Sequence, residues 1–348
     1  MTTRPASNPF QFCPVRRLDA ARVEAFAREV WPDDDERHNI LQSWWMTTDA
    51  DVATAAVEID SGRIAGLCVG VPSEWDIEGQ KVSAASICSW YVSPHFMGRG
   101  LGKKLVQSFA ARSPYLNTFS ISAAAIENFR KLGWIGPFRS SLLLFPLPGL
   151  RTAAKHRTDG ITISSFVTSG RDIAPELGAA LDRIDRERPR SPQRRRRTGD
   201  DWRRHLGYVP GRSYDIQIVG DERGPIGYFA LRAADQQAGR QYRAARLHYV
   251  TDLAVNRDDP ATLGIILRAI VAARSVRGAG AILLCTTDDR VARAARHNGW
   301  MSDQTPLIGP RLADKAPLYM KGDGFKDGGP DGLDLQLTFF DSDVDLNI

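Results

Sequence analysis

The chain of 348 residues is long for one domain and comfortable for two. Its 43% hydrophobic and 25% charged residues are those of globular proteins and exclude fibrous, collagen-like and disordered classes. The net charge of +5 is uneven, with an arginine cluster in Arg183–Arg204 and an aspartate-rich Gly322–Ile348, so it favours an anionic ligand without implying a nucleic-acid binder.

Cys13, Cys68, Cys88 and Cys285 are widely spaced and sit mostly in apolar runs, which reads as buried thiols in a reducing compartment. Met1–Phe10 lacks the basic-then-apolar layout of a signal peptide, and no apolar run approaches spanning length. A cytoplasmic protein with no membrane span is the expectation.

In chain order, Ser61–Gly66 separates the apolar segments Val52–Ile59 and Leu67–Val71, which predicts a β-hairpin. A strand is expected over Ala84–Val92, a helix over Gly102–Arg112 and a strand over Thr118–Ser122, followed by a helix and Gly133-Trp134. Pro146–Gly149 marks a break. The same succession then returns. Glu222–Gly227 joins Tyr214–Val219 to Tyr228–Leu231, a strand follows over His248–Val255, a helix over Thr262–Arg277, a strand over Ala281–Cys285 and a closing Gly299-Trp300. The separations Gly66 to Gly227, Val92 to Val255 and Gly133 to Gly299 drift by only a few residues, which suggests one α/β unit used twice. The expected division is 1–150, a linker 151–160, a second unit 161–321 and an acidic tail 322–348.

The segment Val92–Lys104 follows a strand and opens a helix whose apolar positions are Leu101, Leu105, Val106 and Phe109. Gly98, Gly100 and Gly102 remove side chains where backbone must approach a ligand closely. The first turn of a helix aims unpaired N–H groups outward, which suits a pyrophosphate, and Arg99, Lys103 and Lys104 add positive charge. No His, Cys or Asp spacing suggests a metal site.

This segment resembles motif A of the GNAT acyltransferase superfamily, with Gly100 and Gly102 at its glycine positions and Met97 where the family usually has glutamine or arginine. Phe129–Trp134 resembles the family's Tyr-Glu-Lys-Leu-Gly-Phe signature. The resemblance implies two tandem GNAT-like domains of α/β (α+β) class, each a mixed, mostly antiparallel twisted sheet flanked by helices. It also implies acetyl-CoA, or another acyl-CoA, as co-substrate, held by Tyr91, Val92, Met97, Gly98, Arg99, Gly100, Leu101, Gly102, Lys103, Ser122 and Phe129. The pantetheine arm would hydrogen-bond to a strand edge, and a backbone N–H near Tyr91 or Val92 would face the thioester oxygen.

Phe129 stands where many family members have an acid-donating tyrosine; Tyr91 is the substitute considered, against simple packing. Glu58, Glu74 and Asp76 are candidate general bases, against a solvated surface role, and His38 and His95 are read as structural. In the second half, Asn256–Gly264 has one glycine, two aspartates and a proline, so that half is expected not to bind the coenzyme; Ala295 takes its tyrosine position. The arginine run reads as a solvated loop or as a phosphate clamp. Leu333–Leu337 alternates like an edge strand, and Asp341–Asp345 lacks the glycine and glutamate of a calcium loop. The function expected is transfer of an acyl group, acetyl first, to a small amine such as an amino sugar or its nucleotide derivative. The alternatives are a non-catalytic scaffold and an aminoacyl-tRNA-dependent transferase.

Overall fold

The computed structural model describes residues 9–32, 52–119, 123–138, 140–146, 160–169, 172–189, 193–208, 213–233, 247–257, 259–273, 276, 279–302, 305 and 318–321. They are organised by two sheets that repeat one strand order. In the first sheet, β1 (Phe10–Pro14), β2 (Ala53–Glu58), β3 (Ile64–Ile77) and β4 (Gln80–Val92) pair antiparallel in succession. The next strand, β5 (Tyr115–Phe119), joins β4 in parallel, and parallel pairing needs the crossover that helix α2 (Leu101–Ala110) supplies. Helix α3 (Ala123–Lys131) and β6 (Ile135–Phe138) complete this part of the chain.

In the second sheet, β8 (Thr162–Ser169), β10 (Ser213–Asp221), β11 (Gly224–Ala233) and β12 (Leu247–Val255) are antiparallel. Helix α6 (Pro260–Ala272) then crosses to β13 (Ala281–Thr286), parallel to β12, and α7 (Asp289–His297) follows.

Each sheet borrows a strand from the other half of the chain. The short β14 (Leu318–Lys321) lies between β5 and β6, antiparallel to both, while β7 (Ser141–Pro146) pairs with β13 and with Met301 in the second sheet. Ser141–Pro146, inside the stretch 1–150, therefore belongs to the second sheet, and Leu318–Lys321, inside 161–321, to the first. The exchange covers the outer edges of β5 and β13, which would otherwise present unpaired backbone groups.

The two sheets also agree in register. Gly66 pairs with Val92 and Gly227 with Val255. A Cβ on Gly66 would lie 2.7 Å from the Tyr91 carbonyl oxygen and 3.0 Å from Leu105, and one on Gly227 would lie 2.7 Å from the Ala254 carbonyl and 3.1 Å from Ile266. The same backbone crossing thus demands glycine twice. A bulge follows in each case, at Cys88 in β4 and at Thr251 in β12. The hairpins predicted around Ser61–Gly66 and Glu222–Gly227 form, and the predicted crossover helices appear shifted by one to a few residues. The strand predicted from Thr118 begins at Tyr115, because pairing with β4 starts at Ala84 and Tyr115.

One apolar core runs through both halves. It joins Val15, Phe26, Trp31 and Leu67 to Leu177, Leu181, Ile184, Trp202 and Tyr214. Helix α1 (Ala20–Val30) enters this core from the first half, its start fixed by the Asp19 carboxylate, which accepts from the N–H groups of Ala21 and Arg22. Helices α4 (Pro175–Glu187) and α5 (Gly199–Tyr208) enter it from the second.

The arginine run has a structure of its own. The short strand β9 (Gln193–Arg195) pairs antiparallel with β3, Trp75 facing Arg195 and Asp76 facing Arg194, along the edge that β2 leaves beyond Val69. Strand alternation then sorts the arginines. Arg195 and Arg197 are 3% and 0% exposed, with Arg197 Nε 2.9 Å from Asp252 Oδ1. Arg194 and Arg196 turn to the other face, 3.7 Å from Asp76 and 3.6 Å from Glu74. The segment is thus not a solvated loop; it is a strap whose Arg194, Arg196 and Arg197 lie against carboxylates, with Arg194 and Arg196 also lining a charged cavity. The reason is register, which a reading of the run in isolation does not supply.

Candidate active site

Two features of the first sheet define the site. Strands β4 and β5 pair only at Ala84–Tyr115, Ala85–Leu116 and Ser86–Asn117, after which β4 continues to Val92 without β5 beside it. The strands therefore part like a wedge, leaving one edge of β4 for a ligand's hydrogen bonds. At the wide end of the wedge lies the glycine-rich loop.

The base of that loop is firmly held. Ser93 is fully buried; its N–H donates to the Ala65 carbonyl at 2.9 Å and its hydroxyl donates to Glu29. Glu29 also meets Arg63 at 3.1 Å. The Ser93 hydrogen bond, opposed by partial burial and aided by Arg63, holds the Glu29 carboxyl below the usual carboxylate range. A single 3-10 turn, Pro94–Phe96, then leads to Met97, whose side chain is 64% exposed.

Beyond Met97 the backbone turns left-handed twice, at Gly98 (φ 78°) and Gly100 (φ 69°), and a Cβ at either would meet only open space. Their glycine identity answers a backbone requirement, not a crowded side-chain position. Gly100 is the N-cap of α2, with no side-chain capping bond and no acidic residue in the first turn. The first-turn N–H groups, which have no intrahelical partner, thus gather at a helix start beside exposed Lys103 and Lys104. The Arg99 guanidinium rests 5.4 Å from the centre of the Phe96 ring. Leu101 is buried beneath the loop.

Gly102 has a different cause. Trp90 donates its Nε1 hydrogen to the Gly102 carbonyl at 3.1 Å, and a Cβ at 102 would lie 3.0 Å from the indole ring. Trp90 meets Phe129 edge-on at 5.1 Å, and Phe129 meets Trp134 at 4.8 Å. Phe129, with 2% of its surface exposed, is thus a core residue supporting Trp90. Tyr91 turns to the opposite face and packs edge-on against Trp31 at 4.5 Å. Val92 is half-buried against the cluster beneath α2. The structure therefore gathers Val92, Met97, Gly98, Arg99, Gly100, Leu101, Gly102 and Lys103 at one place, with Phe129 underneath and Tyr91 facing away. Ser122, His38, Leu333–Leu337 and Asp341–Asp345 lie outside the described residues. The sequence reading missed Trp90 and Glu29; the aromatic before Tyr91 and the helix-end carboxylate carried no local signal for either role.

The carboxylates considered as bases lie elsewhere. Glu58 ends β2 at the hairpin turn and accepts from the Ser61 hydroxyl at 2.6 Å. Glu74 lies 3.1 Å from Arg204, and with Asp76 it lines a charged cavity of about 1010 Å³ together with Lys81, Arg186 and Asp200. This cavity is at the tip of the β3–β4 hairpin, where Ile77 pairs with Gln80, whereas the loop is at the Gly66–Val92 end.

The second sheet lacks the loop's features. Asp259 caps α6 itself, accepting from the Thr262 N–H at 2.8 Å and the Thr262 hydroxyl at 2.6 Å, and Pro260 occupies the first helical turn. A carboxylate thus sits where the first sheet offers bare N–H groups. The gap between the ends of β12 and β13 is a cavity of only about 10 Å³, lined by Leu253, Val255, Leu284 and Asp288. Ala295 is fully buried. Among the described residues, no group of His, Cys, Asp and Glu side chains is placed to hold a metal, and no helix is long and apolar enough to cross a membrane.

Comparison with known proteins agrees with this geometry. Residues 17–134 match the family model described as the acetyltransferase (GNAT) family. No curated protein sequence gives a significant match. Among solved structures, a GCN5-related N-acetyltransferase from Anabaena variabilis superposes with a TM-score of 0.55 at 11% identity, covering 89% of this chain and 72% of the other. The Saccharomyces cerevisiae N-myristoyltransferase with bound myristoyl-CoA gives 0.53 at 12% identity, covering 91% and 80%. A fungal GCN5-related glucosamine N-acetyltransferase region gives 0.54 at 15% identity, covering 91% of this chain and 38% of that one. At these identities the structures establish a shared fold, and the family match assigns one segment of it: residues 17–134 form a GNAT-family acetyltransferase domain.

Proposed function

We propose that the chain binds acetyl-CoA at the Met97–Lys103 loop and transfers its acetyl group to the amine of a small acceptor. The observation that carries this reading is the conjunction of a left-handed glycine pair, an uncapped helix start and a parted strand edge on one side of one sheet. The pyrophosphate would take the N–H groups of Gly98–Gly102, with Arg99 and Lys103 offsetting its charge. The pantetheine arm would extend along the open edge of β4 towards Ile87, and a β4 N–H would receive the developing oxyanion. A neutral amine would attack the thioester carbon, the C–N bond forming as the C–S bond breaks. The thiolate leaves and the amine loses its proton to solvent, so positioning supplies much of the rate. Phe129 has no proton to give, and Tyr91 packs against Trp31, so neither is assigned as the acid.

The proposed division is two GNAT-like units, 1–150 and 161–321, that exchange a strand, with one coenzyme site in the first. The capped start of α6 supports the single site. For the acceptor we favour an amino sugar; Arg194, Arg196 and Arg197 lie against carboxylates, which argues against a dedicated phosphate clamp in that run. Titration calorimetry with acetyl-CoA, and CoA release across a panel of amino sugars and polyamines, test the reading. Binding is expected to be lost in Gly100→Trp and Gly102→Trp; binding that survives both would sink the loop assignment. Binding without turnover across the amine panel would favour a scaffold, and a salt-sensitive tRNA complex lost on neutralising Arg194–Arg197 would favour the RNA-dependent transferase.

A further inference from the structure

We infer that the narrow end of the β4–β5 wedge limits the acyl group to a short chain, with Ser86, Ile87, Asn117 and Thr118 as the residues that set the limit. The inference rests on the proposed seating of the coenzyme. The open edge of β4 from Ile87 to Val92 spans about 16 Å at roughly 3.3 Å per residue, a length comparable to the extended pantetheine arm. Whatever lies beyond the thioester therefore points at the place where the two strands meet.

That place is closed by two side-chain bridges. The Ser86 hydroxyl donates to the Asn117 side-chain oxygen at 2.8 Å, and the Thr118 hydroxyl donates to the Ile87 carbonyl at 2.9 Å. All four residues are at most 3% exposed. The bridges act across the seam itself, one at the last paired rung and one just past it, so a longer chain could enter only by parting them. Parting them would strand buried polar groups without water.

Neither strand can retreat. The outer edge of β5 is bonded to β14, with Thr118 opposite Tyr319 and Asn117 opposite Met320, and Met320 is fully buried. On the helix side, Phe109 fills the space: a Cβ on Gly70 would lie 2.6 Å from its ring and 3.2 Å from the Ser86 carbonyl. Leu116, Leu105 and Phe129 complete that wall. The apex is thus a packed, bridged seam with no room for a fatty chain.

The test is a binding series with CoA, acetyl-CoA, butyryl-CoA, octanoyl-CoA and myristoyl-CoA on the full chain. CoA and acetyl-CoA should bind alike, while octanoyl- and myristoyl-CoA should bind at least about tenfold more weakly, since each misfitting methylene in a closed pocket carries a discrimination of that order or more. Thr118→Ala, which removes both the bridge and volume, should strengthen octanoyl-CoA binding relative to acetyl-CoA binding. Thr118→Val, which keeps the volume, should not. Myristoyl-CoA binding as tightly as acetyl-CoA to the unaltered chain would overturn the inference, whatever the variants do. Failure of CoA itself to bind would overturn the coenzyme seat and the slot with it, whereas CoA binding without chain-length dependence would overturn the slot alone.

Discussion

Arg197 and Asp252 face each other at 2.9 Å with neither side chain exposed, linking the strap between α4 and α5 to the centre of β12. Asp252 also accepts the Tyr228 hydroxyl at 2.5 Å, and Trp202 donates to that same hydroxyl at 3.3 Å. Burial first, and then the Asp252 charge, raise the Tyr228 pKa well above its ordinary value, so it remains a donor throughout the accessible range. Because the strap also pairs with β3, this buried ion pair ties the second sheet to the first.

Breaking the pair from one side should be costly, since it leaves a buried charge uncompensated. Arg197→Met or Asp252→Asn is expected to lose about 3–5 kcal/mol in urea unfolding, and Arg197→Met combined with Asp252→Leu to recover much of that loss. Single variants within error of the wild type would show that the pair is hydrated.

The two crossing glycines make a matched prediction. Gly66→Ala and Gly227→Ala each place a methyl group 2.7 Å from a carbonyl oxygen, so each should destabilise the protein by about 1–3 kcal/mol. Similar losses at both positions would support equivalent crossings; a loss at only one would argue against them.

At Gly100 the requirement is conformational. Its φ of 69° is a left-handed conformation, so Gly100→Ala should cost about 1–2 kcal/mol in stability although a Cβ there meets open space. Thermal unfolding with and without acetyl-CoA would separate that strain from any effect on binding.

Glu29 predicts a pH dependence with a definite sign. Its pKa is lowered in the folded state, so its contribution is present above the unfolded value near 4.5 and is lost as pH falls through the lower folded value. Wild type should exceed Glu29→Gln in stability at neutral pH, and the difference should shrink on acidification below 4.5. A difference that grows instead would mean that the carboxyl is destabilising where it sits.

Thiol reactivity should divide the cysteines. Burial pushes the Cys68 and Cys285 thiols up to about 12, whereas Cys13 and Cys88 are partly exposed. An aromatic disulfide reagent at pH 8 should leave Cys68 and Cys285 unmodified until the protein is denatured. Rapid native labelling of either would contradict their burial.

How far the site could be read from the sequence depended on whether its parts are local. Gly98, Gly100, Gly102 and Lys103 fall within a few residues between a strand and a helix, and a backbone turn is a short-range property, so the loop could be recognised from the chain. The matched hairpins and crossover helices were legible for the same reason. The burial of Phe129 was not, because it depends on Trp90 arriving from another strand.

The sequence by itself determined the loop, the succession of elements that occurs twice and the loss of glycines in the second copy, all carried by neighbours along the chain. Only the tertiary structure decided that β7 and β14 change places between the sheets, that alternate arginines are buried, and that Glu74 faces Arg204 instead of the loop. Each of these follows from which strand lies beside which. That choice is made by edge pairing and burial between residues far apart in the chain, and no local pattern encodes it.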